Sequence, residues 1–394
     1  GNDTRMPEIG HGYSDVCGIS GRKEGFMKKT KRIFAVMMAV LLALGIMTGC
    51  GSSESDRGSS AEKSSAGTVS FTDDAGRSVE IPGSDDLKKV YVTSPIGFIQ
   101  IYTFSPELLA GTPMKFSEEE LEYLDPVCKE MKNLGGMQVG AELNKEAIMK
   151  SGTQIIFSMS AKTTDTTVSD ADELQEQLGI PVVVLNADFN AMPDTYRRLG
   201  EIFNMKDRAE ELASYCENVI SDVNEKLSAI PDEERVSVYY AENEDGLATE
   251  PETSNHAAVL KMAGAKNVAQ IEGKGAGGLS PVSLEQVLSW NPDVIISWGD
   301  DRGGAYSKIK GSSDWSTIKA VKDGRVYAMP NKPFSWMDRP PSVNRFLGVQ
   351  WVANLLYPDV YDIDLAETTK EFYKLFYSVD LTDDQVSDIL KYAA

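Results

Sequence analysis

The sequence predicts an α/β chain built as two similar halves joined by one long helix. Three observations carry this. Short apolar, β-branched runs alternate with amphipathic stretches, the pattern of strand–helix units. The runs fall at 90–93, 155–158 and 182–185, then at 236–240, 294–297 and 326–329. Between the two sets, residues 205–230 place Ala209, Leu212, Cys216, Val219, Ile220, Val223 and Leu227 at steps of three and four, on one helical face. Pro231 ends that run. A helix of about 26 residues would measure ~39 Å and act as a stiff hinge. The third observation is an internal echo. Leu143-Asn144-Lys145-Glu146-Ala147-Ile148-Met149 precedes the second strand of the first half, and Val282-Ser283-Leu284-Glu285-Gln286-Val287-Leu288 precedes the matching strand of the second. Asn144 and Ser283 suit helix N-caps, and Glu146 and Glu285 then fall in the first turn, where an acid complements the helix dipole.

The start of the chain reads as an address. Residues 1–26 are polar and precede Met27, an expected translation start, so they are set outside the fold as a non-native or mis-started segment. Residues 27–49 read as a secretory signal: Lys28, Lys29, Lys31 and Arg32, then an apolar run over 33–47. That run is shorter than the roughly 20 residues needed to span a bilayer. It ends in Met47-Thr48-Gly49-Cys50, which resembles a bacterial lipobox, with Cys50 the expected lipidation site. Residues 50–67 hold nothing apolar larger than Ala and read as a flexible tether. The body then divides into a first lobe at 68–204, the connecting helix at 205–231, and a second lobe with closing C-terminal helices at 232–394.

Composition excludes several function classes. Among 394 residues, Asp and Glu number 60 against 39 Lys and Arg, a formal charge of −21, which would repel a nucleic-acid backbone. Four Cys and two His write no CxxC, HExxH or Cys/His zinc cluster. A Ser-His-Asp triad would have to use His256. A secreted hydrolase using Asp300, Asp301 or Glu242 with His256 is the remaining enzymatic alternative, and in so acidic a chain paired carboxylates are a weak signal.

Several stretches together resemble the substrate-binding lipoproteins of ABC importers for iron–siderophore, haem and vitamin B12. They are FTDDAGRSVEIP (71–82), SPIGFIQIYTFSPELLAG (94–111), SNHAAVLKMAGAKNVA (254–269), VSLEQVLSWNPDVIISWG (282–299), WSTIKAVKDGRVYAMP (315–330) and WMDRPPSVNRFLGVQWVANLLYP (336–358). The resemblance implies two Rossmann-like lobes with the ligand cleft between them, no catalysis and no cofactor. It also implies a monomeric receptor, lipid-anchored on the extracytoplasmic face of the cell membrane, working with an ABC permease and its ATPase. Such proteins dock on permease Arg residues through one Glu per lobe, and Glu146 and Glu285 fall on those positions.

Open α/β sheets bind ligands at the carboxyl ends of their strands. The residues expected there are Ser94, Tyr102 and Met159 in the first half, and Tyr240, Trp298, Arg302, Trp336, Arg339 and Arg345 in the second. Trp would cover the flat organic face of a metal chelate, and Arg would meet its anionic oxygens. The expected ligand is accordingly a metal chelate, a ferric siderophore before a corrinoid. Molybdate, tungstate or haem are the alternatives on the same fold, and no metal is held directly by the protein.

Overall fold

A computed structural model describes residues 63–394 apart from 65, 66, 139 and 276. The signal, Cys50 and nearly all of the expected tether lie outside the described residues. Where the tether is described, Lys63–Ser64 pairs antiparallel with Thr68 and Val69, so its end is a strand rung.

The first lobe is built on three parallel strands in the order Val90–Val92, Ile155–Ser160, Val182–Asn186. Almost every residue in them is buried, which is why they read as unbroken apolar runs. An antiparallel hairpin, Thr68–Thr72 with Ser78–Pro82, packs beside the sheet edge. Its Asp73 accepts from the Val184 backbone N–H at 3.1 Å, and Arg77 donates to the Val182 carbonyl at 2.8 Å, so the exposed edge finds partners. The second lobe carries four parallel strands in the order Val326–Ala328, Val294–Ser297, Ser237–Ala241, Lys266–Asn267. All six expected strands form.

The connecting helix spans Lys206–Leu227, 22 residues or ~33 Å. Its buried residues are Ala209, Leu212, Ala213, Cys216, Val219, Val223 and Leu227; Ile220 is only partly covered. It folds back on the helix Met192–Phe203 through Asn204, which takes a left-handed φ of 53°. Gly200 permits the close approach, since a Cβ there would lie 2.5 Å from Ala209 Cβ. On its other side, Tyr215 accepts from Gln350 of the second lobe's helix Asn344–Leu356 at 3.0 Å. The helix thus touches both lobes. No helix among the described residues is long and apolar enough to cross a membrane.

The C-terminal segment does more than close the second lobe. Helix Leu365–Phe372 runs into a π turn, Tyr373–Tyr377, that reaches the first lobe. Tyr102 donates to the Tyr377 carbonyl at 3.2 Å, and Arg208 donates to the Leu375 carbonyl at 2.6 Å and the Thr103 carbonyl at 2.9 Å. Further on, Tyr123 of the first lobe donates to Asp388, and the Ala328 N–H donates to the Tyr392 carbonyl. One apolar core therefore runs through both lobes, with satellite clusters on the outer face of each sheet.

Helix Asn344–Leu356 clamps the loop that precedes it. Gly348 lies so close that a Cβ would sit 2.0 Å from the Trp336 carbonyl oxygen. Gly348→Ala must therefore push backbone against backbone. The expected loss is about 1–3 kcal/mol of unfolding free energy, read by urea denaturation; a change within about 0.5 kcal/mol would show that the loop is not clamped.

Candidate functional site

The carboxyl ends of both sheets face the seam between the lobes. Two aromatic pairs cross it. Phe189, just after strand Val182–Asn186, stacks on Phe346 with ring centroids 4.5 Å apart, and Phe116 meets Phe334 at 6.2 Å. A charged contact crosses beside the second pair: Lys332 lies 2.5 Å from Glu119 and 2.6 Å from Asp388. Glu120 lies next to Glu119; burial raises its pKa, and the charge of Arg302 from the other lobe draws it back.

Strand Ser237–Ala241 and the loop 331–343 build the buried centre of the second lobe. Tyr240 is fully buried; its hydroxyl donates to Asp338 and accepts from Trp298 Nε1 at 2.9 Å. Burial first, and the Asp338 charge second, keep that phenol protonated. Successive residues of a strand point to opposite faces, so the neighbouring Tyr239 points to the other face of the sheet. Both are buried, because the central strand is covered on both faces: Tyr239 packs by Trp290 and Trp315 and donates to the Gly246 carbonyl.

Three carboxylates, Glu242, Glu250 and Asp338, converge within 4.8 Å and are all buried. Their spacing would suit a cation, but the Arg339 guanidinium already lies among them, 2.7 Å from Glu250, 3.4 Å from Glu242 and 3.3 Å from Asp338. Burial, with Asp338 crowding it, raises the Glu242 pKa well above the ordinary carboxylate range. Asp338 goes the other way. Burial raises it, but His256 and the guanidinium charges of Arg339 and Arg302 outweigh burial and hold it low. His256 Nδ1 is 3.3 Å from Asp338 Oδ2, too poorly aimed for a hydrogen bond.

The expected site residues separate into three groups. Trp298, Arg302 and Arg339 gather with Tyr240 at the strand ends, and Arg345 stands apart in helix Asn344–Leu356, its guanidinium over the Phe189 ring. The Arg302 guanidinium lies 5.0 Å above the Trp298 ring and that of Arg339 5.9 Å from it, and Arg302 donates to Asn331 and to the Arg339 carbonyl. Ser94 is half-buried at the start of helix Pro95–Phe104, capping Gly97 N–H and donating to the Met159 carbonyl at 2.7 Å.

Three expected contacts across the gap need correction. Tyr102 is buried under the C-terminal segment, with its hydroxyl committed to Tyr377 and to the Asp125 N–H. Met159 is buried against Gly97 in the first lobe's own core. Trp336 has no exposed surface: it packs edge-on against Trp351, and its Nε1 donates to the Tyr373 hydroxyl at 3.2 Å. Met159 belongs to strand Ile155–Ser160, Tyr102 to helix Pro95–Phe104 and Trp336 to the loop before helix Asn344–Leu356, and each side chain is packed into the core instead of the gap.

Glu146 and Glu285 stand exposed at the second position of helices Lys145–Lys150 and Leu284–Trp290, capped by Asn144 and Ser283. Glu146 pairs with Lys150 one turn on. Sequence reasoning missed Glu250, Lys332, Phe189 and Phe346. Glu250 sits by the short strand Ala248–Thr249, and only its closeness to the Pro-rich loop in space marks it. A signal for Phe189 was available, since it directly follows a strand end.

Comparison with known proteins bears on this arrangement. A family model described as periplasmic binding protein matches residues 153–333. The molybdate-binding protein MolA of Haemophilus influenzae is 31% identical over 190 residues, covering 48% of this chain and 52% of that protein; the match spans about half of that relative's length. The Fe(3+)-citrate-binding protein YfmC of Bacillus subtilis is 24% identical over 321 residues, 76% of this chain and 89% of that one. Among solved structures, an ABC transporter solute binding protein from Sulfurospirillum deleyianum superposes with a TM-score of 0.73 at 29% identity, over 82% of this chain and 99% of that one. Residues 153–333 thus match the periplasmic binding protein family model, and the chain carries the two-lobed fold that the resemblance to iron-complex binding proteins implied.

Proposed function

We propose that this protein is the solute-binding component of an ABC importer, and that it captures a metal-containing anion in the seam between its lobes. The observation that carries the reading is that cations of the second lobe face the first across the seam, Arg302 over Trp298 toward Glu120, and Arg345 over Phe189. A large flat chelate such as a corrinoid calls for aromatic area on the cleft. With Trp336 buried in the second lobe, Trp298 alone is left, and charge outweighs aromatic area. That moves the preference from a ferric siderophore or corrinoid to a compact anion of the ferric citrate or molybdate kind, the ligands in the names of the two similar proteins above.

Titration of the purified protein with ferric citrate and with sodium molybdate, followed by intrinsic fluorescence and calorimetry, tests the ligand. One of the two should bind with a Kd at or below the order of micromolar. Ferric citrate should quench emission, and Trp298→Phe should remove most of that quenching. Binding of neither would refute the ligand assignment.

Glu146 and Glu285 are assigned to permease docking, on account of their exposure and matched places at two helix starts. Replacing both with Ala should leave ligand affinity unchanged and abolish uptake by vesicles carrying the importer. Loss of affinity in the purified double variant would contradict the assignment. Cys50 is assigned to lipid anchoring. Two acyl chains hold a protein firmly where a single one does not, so Cys50→Ser should shift the protein from the membrane fraction to the medium, and unchanged fractionation would reject the anchor.

A further inference from the structure

Arg345 is a buried cation of the seam that has no ion pair among the described residues. It is the second residue of the helix Asn344–Leu356, whose N-cap, Val343, offers no side-chain cap. The side chain is buried, with 2% of the residue exposed. Nε donates to the Ser342 carbonyl at 3.2 Å, while Nη2 has no hydrogen-bond partner. The guanidinium carbon lies 4.8 Å from the ring centroid of Phe189, so the group spans from one lobe to the other. Asp188 and Asp338 attract its charge, but neither forms an ion pair with it among the described residues. Burial accordingly pulls its pKa down to about 10.

A buried guanidinium without a counter-ion is costly, since several kcal/mol of hydration are lost with nothing in exchange. The neighbouring Arg339 shows how the same lobe handles such a charge when it is structural: three carboxylates surround it. Arg345 lacks that treatment. It also stands in the first turn of a 13-residue helix, where the helix dipole adds positive potential. Two independent features therefore favour negative charge at one point of the seam.

We infer that Arg345 and the start of its helix form the subsite for the anionic oxygens of the cleft ligand, a carboxylate of a metal chelate or an oxygen of an oxometalate, held against Phe189 of the first lobe. This rests on the solute-binding reading above and names the chemistry of that site. The planar fork of Arg can grip two such oxygens at once, which a Lys ammonium cannot. The ring of Phe189 keeps water from the pair and would make each hydrogen bond stronger than at an open surface.

The experiment compares wild type with Arg345→Met and Arg345→Lys, using thermal unfolding and calorimetry with sodium molybdate, ferric citrate and metal-free citrate as probes. Without ligand, Arg345→Met should unfold at the same temperature as wild type or higher, because an uncompensated buried charge has been replaced by an apolar chain. Added anion should raise the unfolding temperature of wild type and leave Arg345→Met unmoved. Both variants should weaken binding of that anion by at least about tenfold. Molybdate alone acting marks an oxometalate; ferric citrate acting marks a chelate carboxylate, and metal-free citrate acting equally marks the carboxylate without its metal. Failure of Arg345→Met to fold, a lower unfolding temperature in that variant, or wild-type anion affinity in Arg345→Lys would each overturn the inference. So would the absence of any anion effect on wild type. The import reading fails separately: Arg345-dependent anion binding without importer-dependent uptake would refute import and leave this subsite standing. Tight binding of a neutral ferric hydroxamate, unaffected by Arg345→Met, would do the reverse.

Discussion

The guanidinium of Arg339 among three buried carboxylates is the contact on which the rest of the second lobe's binding face depends. Its partners come from three places in the chain. Glu242 ends the central strand, Glu250 follows the short strand beside it, and Asp338 belongs to the loop before helix Asn344–Leu356. Taking these charges out of water is expensive, and only mutual neutralisation makes it tolerable. Burial raises the pKa of Glu242, positive neighbours lower that of Asp338, and the guanidinium bridges between them. Such a cluster has one good arrangement, so it fixes the loop's position. From that position Arg339's own carbonyl receives Arg302, and Asp338 receives Tyr240, which in turn receives Trp298. The polar face of the seam is thus aligned by a network that is itself withdrawn from the ligand.

The relation between the lobes follows from a different kind of contact. The connecting helix touches both, and the C-terminal segment crosses back to lay Tyr377 and Phe376 against Tyr102 and Tyr196 of the first lobe. Two covalent connections therefore span the seam, and an apolar core is continuous beneath them. Packed aromatic contacts resist continuous deformation. Movement between the lobes is then confined to what the surface pairs can accommodate, Phe116 against Phe334 and Lys332 against Glu119 at one edge, Phe189 against Phe346 at the other.

What could be read from the sequence follows from which interactions are local. The strands were legible because both faces of each parallel sheet are covered, leaving runs such as Val182-Val183-Val184-Leu185 with no polar alternation. The connecting helix was legible from its buried stripe, and the helix starts at Asn144 and Ser283 from their caps. The site was legible only to the level of the loop. That Trp336 and Arg339 lie close together in one Pro-rich segment says nothing of which turns inward. Arg339 turns to its carboxylates, and Trp336 goes beneath Gly348, the one residue that lets the backbone come so near. Tyr102 was misplaced because what covers it lies 275 residues further along the chain. Glu250 was passed over for the same reason: its partner Arg339 lies 89 residues further on, and it carries no local signature.

Arg339 and Arg345 show why the type and position of a residue underdetermine its part. Both are cations of one loop-to-helix segment, six residues apart, and both lie largely out of water. For Arg339 the chain supplies the negative charge itself, so the pair is internally complete, and adding a ligand there would gain little. For Arg345 the chain supplies a carbonyl, an aromatic ring and the positive end of a helix, none of which neutralises it. In the proposed solute-binding role, the protein would have to bind its solute and later let it go, and a charge compensated only while the solute is present would serve both steps. Binding is favoured by the unmet demand of the guanidinium. Once the lobes part and water reaches Nη2, hydration replaces the solute at modest cost. The distinction between the two arginines is thus a distinction between charge that holds the fold and charge that waits for something outside it.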